Sequence, residues 1–250
     1  MIEGAAADAE KFQDACEWVN KTLRAQNGIG TLGEKTLHAV LKQYFSPDIN
    51  SQEQKFNGFV ADIINEQGII EIQTSNFDKL RRKLDVFLKD KDVTVIFPVA
   101  QTKWIYWMDN DTGAVSTKRK SPKKGAAWDI LFEMYKIKSF LTHPGLHFCV
   151  ILVDVAEFRN LNGWSRDKKK GSSRYDRVPI ELVDEVYIND CGDYKKLIPE
   201  NLKEPFTSRQ YKAAAGMSLR QAQVALHVLH YVKVVKRVGK SGNSYLYERC

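Results

Sequence analysis

Apolar and polar positions alternate between helical and strand-like spacing along the chain, an order typical of α/β proteins. Two helices come first, followed by two short apolar runs joined by the turn Asn65-Glu66-Gln67-Gly68, which predict a β-hairpin. An amphipathic helix separates this hairpin from nearly all-apolar runs of the kind found in buried strands. These elements are predicted, in chain order, at residues 5–26, 31–45, 56–74, 75–88, 93–99, 103–108 and 147–155.

The predicted hairpin brings two carboxylates together. With the turn centred between Glu66 and Gln67, Asp62 lies directly opposite Glu71, and their Cβ atoms are about 5 Å apart. Two like charges in this arrangement repel each other unless a positive group lies between them, and a divalent cation is the obvious choice. The alternative is an apolar hairpin whose acids face solvent. Each acid is placed among apolar residues on its own strand, and the two acids occupy paired positions across the hairpin. This placement favours a binding site over solvent-facing acids.

Glu34 could add a third carboxylate. Thr31 and Glu34 match a capping box, in which the Glu side chain bonds back to the backbone N–H of the cap. Glu34 lies one turn into the helix that comes before the hairpin, so its side chain could instead point toward the two acids. The two roles can coexist. The basic residues of the helix after the hairpin are expected on or near its outer side: Lys79, Arg81, Arg82 and Lys83.

The net charge of +7 is concentrated at the end of the chain. Eight Lys/Arg and one acid lie between Pro205 and Cys250, so the first 204 residues are neutral overall. A basic segment that is also patterned to fold favours a module that meets a polyanion over a solubilising tail. A second basic run at 116–125 either contacts phosphates or is a solvated loop, and the polar stretch at 159–177 is predicted to be a long loop.

Several other classes of protein are disfavoured. No apolar run approaches the roughly 18–20 residues of a membrane span, and the N-terminus lacks the regions of a signal peptide, so we expect a cytoplasmic protein. The four cysteines show no CxxC spacing, which argues against a zinc site or a disulfide framework. The histidines form no constellation, and no HExxH, GxSxG or GxGxxG motif occurs. The Gly-Lys-Ser at 239–241 has Val234 where a P-loop needs its first glycine.

The C-terminal segment is predicted to be a separate domain of residues 201–250, after a first domain of residues 1–200. Capping-box patterns at Thr207 and Ser218 each predict the start of a helix, and a turn at 239–243 joins two short strands. Helix, turn, helix and basic hairpin is an order that resembles the winged helix-turn-helix family.

That resemblance implies a DNA-binding role, because the N-terminal part of the second helix enters the major groove in such modules. Base contacts would come from Arg220, Gln221 and Gln223. Phosphate contacts would come from the basic residues of the wing, which is the hairpin after the second helix: Lys233, Lys236, Arg237 and Lys240. The alternative is a winged helix that binds protein, but its positive charge favours nucleic acid.

The order around the first hairpin resembles the PD-(D/E)xK nuclease superfamily, whose restriction-endonuclease-like core has the same sequence of elements. The resemblance implies a mixed sheet flanked by helices. It makes Asp62 the motif Asp, Glu71 the second acid and Gln73 the residue at the position usually held by Lys. Glu34 matches the helix-borne Glu of many members.

The chemistry implied by this resemblance is phosphodiester hydrolysis. Asp62, Glu71 and the backbone carbonyl of Ile72 would hold Mg²⁺ (or Mn²⁺). Gln73 can orient a water molecule but lacks the charge of a lysine. We therefore expect a metal-dependent endonuclease whose partner is double-stranded DNA, with a homodimer left open and no membrane partner. The alternatives are a non-cleaving DNA-binding regulator or recognition protein on the same fold, and a nuclease that acts on RNA.

Overall fold

The computed structural model describes residues 8–26, 36–109, 112–160 and 173–250. It confirms the predicted α/β class, with a mixed, largely antiparallel sheet flanked by helices. The helices and strands are α1 (Ala9–Gln26), α2 (Thr36–Phe45), β1 (Gln52–Phe56), β2 (Phe59–Asn65), β3 (Gly68–Ile72), α3 (Arg81–Phe87), β4 (Val93–Met108), β5 (Arg119–Lys120), α4 (Leu131–Met134), β6 (Leu146–Asn160), β7 (Ser173–Ile188), α5 (Ser208–Ala215), α6 (Leu219–Tyr231), β8 (Val235–Ser241) and β9 (Ser244–Arg249). None of the helices in these parts of the chain combines the length and the apolar character needed to cross a bilayer.

The main sheet has the strand order β1-β2-β3-β4-β6-β7, with β5 beside β4. Strands β1, β2 and β3 form an antiparallel meander, whereas β3, β4 and β6 run parallel to one another and β7 is antiparallel to β6. Because β3, β4 and β6 are parallel, their C-terminal ends point to the same edge of the sheet.

The sheet separates two buried clusters. Successive side chains of β3 point to opposite faces, with Ile69 in one cluster and Ile70 in the other. Helices α1 and α2 cover the Ile70 face, and α3 and α4 cover the Ile69 face. The helices that flank the hairpin in sequence therefore approach it from opposite sides of the sheet.

The C-terminal segment contains the predicted helix, helix and hairpin. Both capping boxes are present: Thr207 and Ser218 each cap a helix through the glutamine three positions later. The buried residues of this segment belong to the same apolar cluster as the Ile69 face of the sheet. The Trp128 indole N–H donates to the carbonyl of Ala215 across this contact, with 3.0 Å between the nitrogen and the oxygen.

Three strands are longer than the side-chain pattern predicts. The runs at 93–99 and 103–108 form the single strand β4, with a break in pairing register between Ala100 and Lys103. Strand β6 continues to Asn160 and β7 begins at Ser173, so both described ends of the predicted polar loop are strand. Backbone hydrogen bonds to neighbouring strands hold these polar residues in an extended conformation. Such bonds do not show in the order of apolar and polar side chains along a single strand, so the sequence pattern could not predict them.

Candidate functional site

The β2–β3 hairpin has the predicted register. Ile63 pairs with Ile70 and Ile64 with Ile69, and continuing this register sets Asp62 opposite Glu71. Glu71 is fully buried, whereas the Asp62 side chain keeps 20% of its surface exposed. The two acids therefore form a site that is closed at Glu71 and open to solvent at Asp62.

Local turn chemistry explains why this register forms. The side-chain oxygen of Asn65 accepts a hydrogen bond from the backbone N–H of Gln67, with 3.0 Å between the two atoms. Gly68 has φ +128°, and a Cβ at this position would lie 2.4 Å from the carbonyl oxygen of Asp92. Only glycine fits such a close approach, so the turn cannot slip by one residue without a clash.

The Asp62 carboxylate is held by groups from two elements. Its Oδ2 atom accepts a hydrogen bond from the backbone N–H of Ile72 at 2.7 Å, and His38 Nε2 of α2 lies 3.4 Å from the same oxygen. Burial raises the pKa of Asp62, but the hydrogen bonds from His38 and Ile72 and the charge of Lys83 outweigh it and bring the pKa below its ordinary value. Asp62 is therefore ionised at neutral pH.

Lys83 of α3 provides a positive charge directly at Glu71. Its Nζ lies 2.9 Å from Oε1 and 2.8 Å from Oε2 of Glu71, and 2.7 Å from the carbonyl oxygen of Val60. Burial and the charge of Asp62 raise the pKa of Glu71 to about 7, although the hydrogen bonds and charge of Lys83 act in the opposite direction. Glu71 therefore changes protonation near neutral pH.

The expectation that Lys83 lies on or near the outer side of its helix is wrong, because its side chain turns inward to Glu71. Lys83 borders the apolar stripe formed by Leu80, Leu84 and Phe87, and its ammonium reaches Glu71 and the Val60 carbonyl in the hairpin. Periodicity alone places such a border residue on either side. Sequence reasoning also missed His38, because a histidine on a helix gives no signal until the helix is docked against the hairpin.

Two further residues predicted for this site, Ile72 and Gln73, directly follow Glu71 in the chain. The backbone N–H of Ile72 is used by Asp62, and β3 ends at this residue. The backbone N–H of Gln73 donates to the carbonyl of Ile96 at 2.9 Å, and its side chain is half-buried. Their predicted catalytic roles stay predictions. Glu34 lies outside the described residues, and so does its capping box.

The donor atoms of the acid pair are of the type that Mg²⁺ takes, since both acids offer carboxylate oxygens. Within the described ranges, no group of three or more His, Cys, Asp and Glu side chains converges on one position. Both oxygens of Glu71 accept hydrogen bonds from Lys83. A metal ion would therefore be held by Asp62, one oxygen of Glu71 and the Ile72 carbonyl, with Lys83 withdrawn from that oxygen.

The predicted base-contacting residues at the start of α6 differ in accessibility. Arg220 and Gln223 are exposed, but the side-chain oxygen of Gln221 accepts a hydrogen bond from the backbone N–H of Ser218 at 3.0 Å. The same helix face continues to His227, whose Nε2 lies 3.2 Å from the Nζ of Lys138. Arg220 and Gln223 are therefore accessible to a large partner, whereas the Gln221 side chain is engaged in the helix cap.

The predicted phosphate-contacting residues are all exposed: Lys233, Lys236, Arg237 and Lys240. In the β8–β9 hairpin, the Arg237 guanidinium lies 4.0 Å from the centre of the Tyr245 ring and the Lys240 ammonium lies 5.1 Å from it. Glu248 approaches Lys236 at 3.8 Å. Glu248 offsets one positive charge of the β8–β9 hairpin, and the hairpin remains positively charged overall.

Comparison with known proteins identifies a family whose function is not known. An uncharacterized protein of Treponema pallidum (strain Nichols) is 28% identical over 228 residues, which are 88% of this chain and 87% of that protein. No solved structure matches. Residues 35–189 match the model of a family described as a domain of unknown function (DUF8091). The match contains the acid pair, His38 and Lys83 and ends before α5. Because it covers more than half of the chain, the protein belongs to the DUF8091 family.

Proposed function

We propose that the protein is a metal-dependent nuclease of the PD-(D/E)xK type that hydrolyses phosphodiester bonds in double-stranded DNA. One observation carries the proposal: two carboxylates face each other across the hairpin, and the Lys83 ammonium is bonded to the second of them. The order α2, β2, β3, α3 and β4, with β3 parallel to β4, supports it because the resemblance implies the same order of elements.

Asp62 and Lys83 would have different roles in the proposed reaction. Asp62 is ionised across the neutral range and offers a permanent negative charge. Lys83 supplies the positive charge that Gln73 lacks, and it can stabilise negative charge on a phosphate once it releases one oxygen of Glu71. A bound Mg²⁺ would add concentrated positive charge at the phosphate oxygens.

Cleavage of a linear DNA duplex in Mg²⁺ or Mn²⁺ tests the proposal. Asp62→Asn, Glu71→Gln and Lys83→Met should each lower the cleavage rate by about 100-fold or more, because each removes a charge at the reacting phosphate. The matched control is Lys79→Met, which removes an exposed lysine one helical turn away and should cleave like the wild type. Unchanged cleavage by Asp62→Asn would rule out this site.

Metal binding provides a readout that does not depend on turnover. Titration calorimetry with Mn²⁺ should show a binding event in the wild type that is lost in Asp62→Asn. Lys83→Met should bind Mn²⁺ at least as tightly as the wild type, because its ammonium no longer competes for Glu71. Weaker Mn²⁺ binding by Lys83→Met would contradict the assignment of Lys83 as a competitor.

A second function, DNA binding without cleavage, is favoured by a different feature of the same residues. Lys83 already satisfies both oxygens of a fully buried Glu71, so the acids are compensated within the chain. A protein that binds a duplex in a salt-dependent manner but shows no cleavage in either metal would support this alternative. Preferential cleavage of RNA over DNA would contradict the choice of substrate.

The basic hairpin is proposed to contact DNA in both cases. A truncation before Pro205 would expose the apolar cluster shared with the sheet, so point variants are the better test. The triple variant Lys236→Ala/Arg237→Ala/Lys240→Ala should weaken binding to all duplexes equally, because phosphate contacts carry no sequence information. Unaltered binding by this variant would remove the hairpin from the proposal.

A further inference from the structure

A second group of charges lies at the sheet edge to which β3 points. Ile72, at the end of β3, pairs with Ile96, but β4 and its neighbour β6 continue to Met108 and Asn160. Lys103 lies on this extension, roughly 20 Å beyond the end of β3. Five cations gather there, and we call them the cation cluster: Lys103, Lys123, Arg159, Arg174 and Arg177.

Glu157 is the buried centre of this cluster, with 1% of its surface exposed. Arg159 donates to its Oε1 from Nε at 2.7 Å and from Nη2 at 2.5 Å. Arg177 donates to its Oε2 from Nε at 2.8 Å. Both carboxylate oxygens are therefore engaged by two arginines, and Lys103, Lys123 and Arg174 add further positive charge around the same pair.

The remaining acids nearby leave the cluster with a net positive charge. Asp129 accepts a hydrogen bond from the backbone of Ala126, and Asp176 is bonded to Thr36. Burial lowers the pKa of Lys103, and Arg177, Arg159 and Lys123 lower it further against the attraction of Glu157. Crowded cations of this kind are stabilised by an anion from another molecule.

The first turn of α2 lies between the cation cluster and the acid pair. Thr36, the first residue of α2, donates to Asp176 through its backbone N–H and its hydroxyl, and Asp176 adjoins Arg177. His38, two positions along the same helix, contacts Asp62. A phosphate chain that passes the open side of Asp62 would therefore meet the cation cluster within a few nucleotides.

The aromatic residues of the extension favour a duplex over a single strand. Lys118 and Lys120 lie 4.9 and 5.3 Å from the centre of the Trp104 ring, and the Arg159 guanidinium lies 5.9 Å from that of Trp107. The Tyr106 and Phe158 rings stack on each other at 5.1 Å. These aromatic rings already have partners within the chain, whereas single-strand binding relies on rings that are free to stack on bases.

We propose that the cation cluster binds the phosphate backbone of double-stranded DNA beside the acid pair. The inference rests on the proposed function, since it names the surface that holds the same substrate. It requires contacts from Lys123 and Arg174, which are both exposed and lie outside the hydrogen bonds to Glu157.

The test compares two double variants with the same change of charge. Lys123→Ala/Arg174→Ala removes two cations of the cluster, and Lys89→Ala/Lys195→Ala removes two exposed lysines near the opposite edge of the sheet. Affinity for a short DNA duplex is measured without divalent ions between about 50 and 200 mM salt. The slope of log affinity against log salt should fall by about 2 in the cluster variant and stay unchanged in the control.

The outcomes separate this inference from the proposed nuclease activity. An unchanged slope in Lys123→Ala/Arg174→Ala, or an equal loss in the control, overturns the cation cluster as a DNA contact even if the wild type cleaves DNA. A slope reduced only in the cluster variant supports the contact even if the wild type cleaves nothing. A larger loss for single-stranded than for duplex DNA overturns the assignment to a duplex.

Discussion

Glu71 and Glu157 are both buried glutamates on the same sheet, yet their environments have opposite effects. Glu71 is 0% exposed and its pKa is raised to about 7, whereas Glu157 is 1% exposed and its pKa is lowered to about 2. Burial raises the pKa in both cases. Glu71 faces a second acid and one lysine, while Glu157 accepts hydrogen bonds from two arginines and has Lys103 nearby.

The balance of neighbouring charges decides how a buried carboxylate behaves. A single ammonium shared between two acids leaves Glu71 close to protonation, which is typical of sites where chemistry occurs. Two guanidiniums on one acid leave Glu157 permanently charged and the surrounding cations in excess. The first arrangement suits a site that binds a cation, and the second suits a surface that binds an anion.

The largest change in stability is expected when Glu157 is removed. Glu157→Gln leaves Arg159 and Arg177 without their carboxylate beside other cations, so the free energy of unfolding at pH 7 should fall by about 3 kcal/mol. Urea denaturation followed by circular dichroism measures the loss. Glu181→Gln, at an exposed position of β7, should change the free energy by less than about 0.5 kcal/mol. Equal effects of the two variants would contradict the central role of Glu157.

Removing Lys83 should have a smaller effect that depends on pH. Lys83→Met leaves Glu71 facing Asp62 alone, and the free energy of unfolding at pH 8 should fall by about 2 kcal/mol. At pH 6 the loss should be smaller, because a protonated Glu71 no longer needs the ammonium. Urea denaturation at both pH values, with Lys79→Met as the matched control, measures the difference. An identical loss at the two pH values would contradict the coupling of Lys83 to Glu71.

The raised pKa of Glu71 predicts the sign of a pH dependence. Folding raises this pKa from an ordinary 4.5 to about 7, so the folded protein binds the extra proton between these values. The contribution of Glu71 to the free energy of unfolding therefore falls as the pH rises from about 4.5 to 7, by at most about 1.4 kcal/mol per pH unit. Glu71→Gln should abolish this fall, as measured by urea denaturation across that range. A fall of the same steepness in Glu71→Gln would assign it to another group.

The smallest effect is expected for the contact between His38 and Asp62. Both side chains are partly exposed, so His38→Ala should lower the free energy of unfolding at pH 7 by about 0.5 to 1 kcal/mol. The pKa of Asp62 should also rise in this variant, because a hydrogen bond to its charged form is lost. Carboxyl titration by nuclear magnetic resonance measures that shift, and His230→Ala on α6 is the control. A pKa of Asp62 that does not change would contradict the contact.

Local chemistry explains which features could be predicted from the sequence. The α/β class, the hairpin register and both C-terminal capping boxes follow from periodicity and from turn and cap residues that act over three or four positions. The division of the chain into domains of residues 1–200 and 201–250 stays a prediction. The C-terminal helices share one apolar cluster with the sheet. The nuclease and winged-helix assignments also stay proposals.

The amino-acid sequence alone is enough to set Asp62 opposite Glu71, because a hairpin with a glycine-dependent turn has one register that keeps its apolar faces buried. Which cations meet these acids depends on how the helices pack against the sheet. Lys83 and His38 come from helices on opposite faces of the sheet, and the direction of a long side chain depends on how its helix docks. The parallel pairing of β3, β4 and β6, together with the antiparallel pairing of β7 with β6, carries the arginines around Glu157 to the sheet edge that the acid pair approaches.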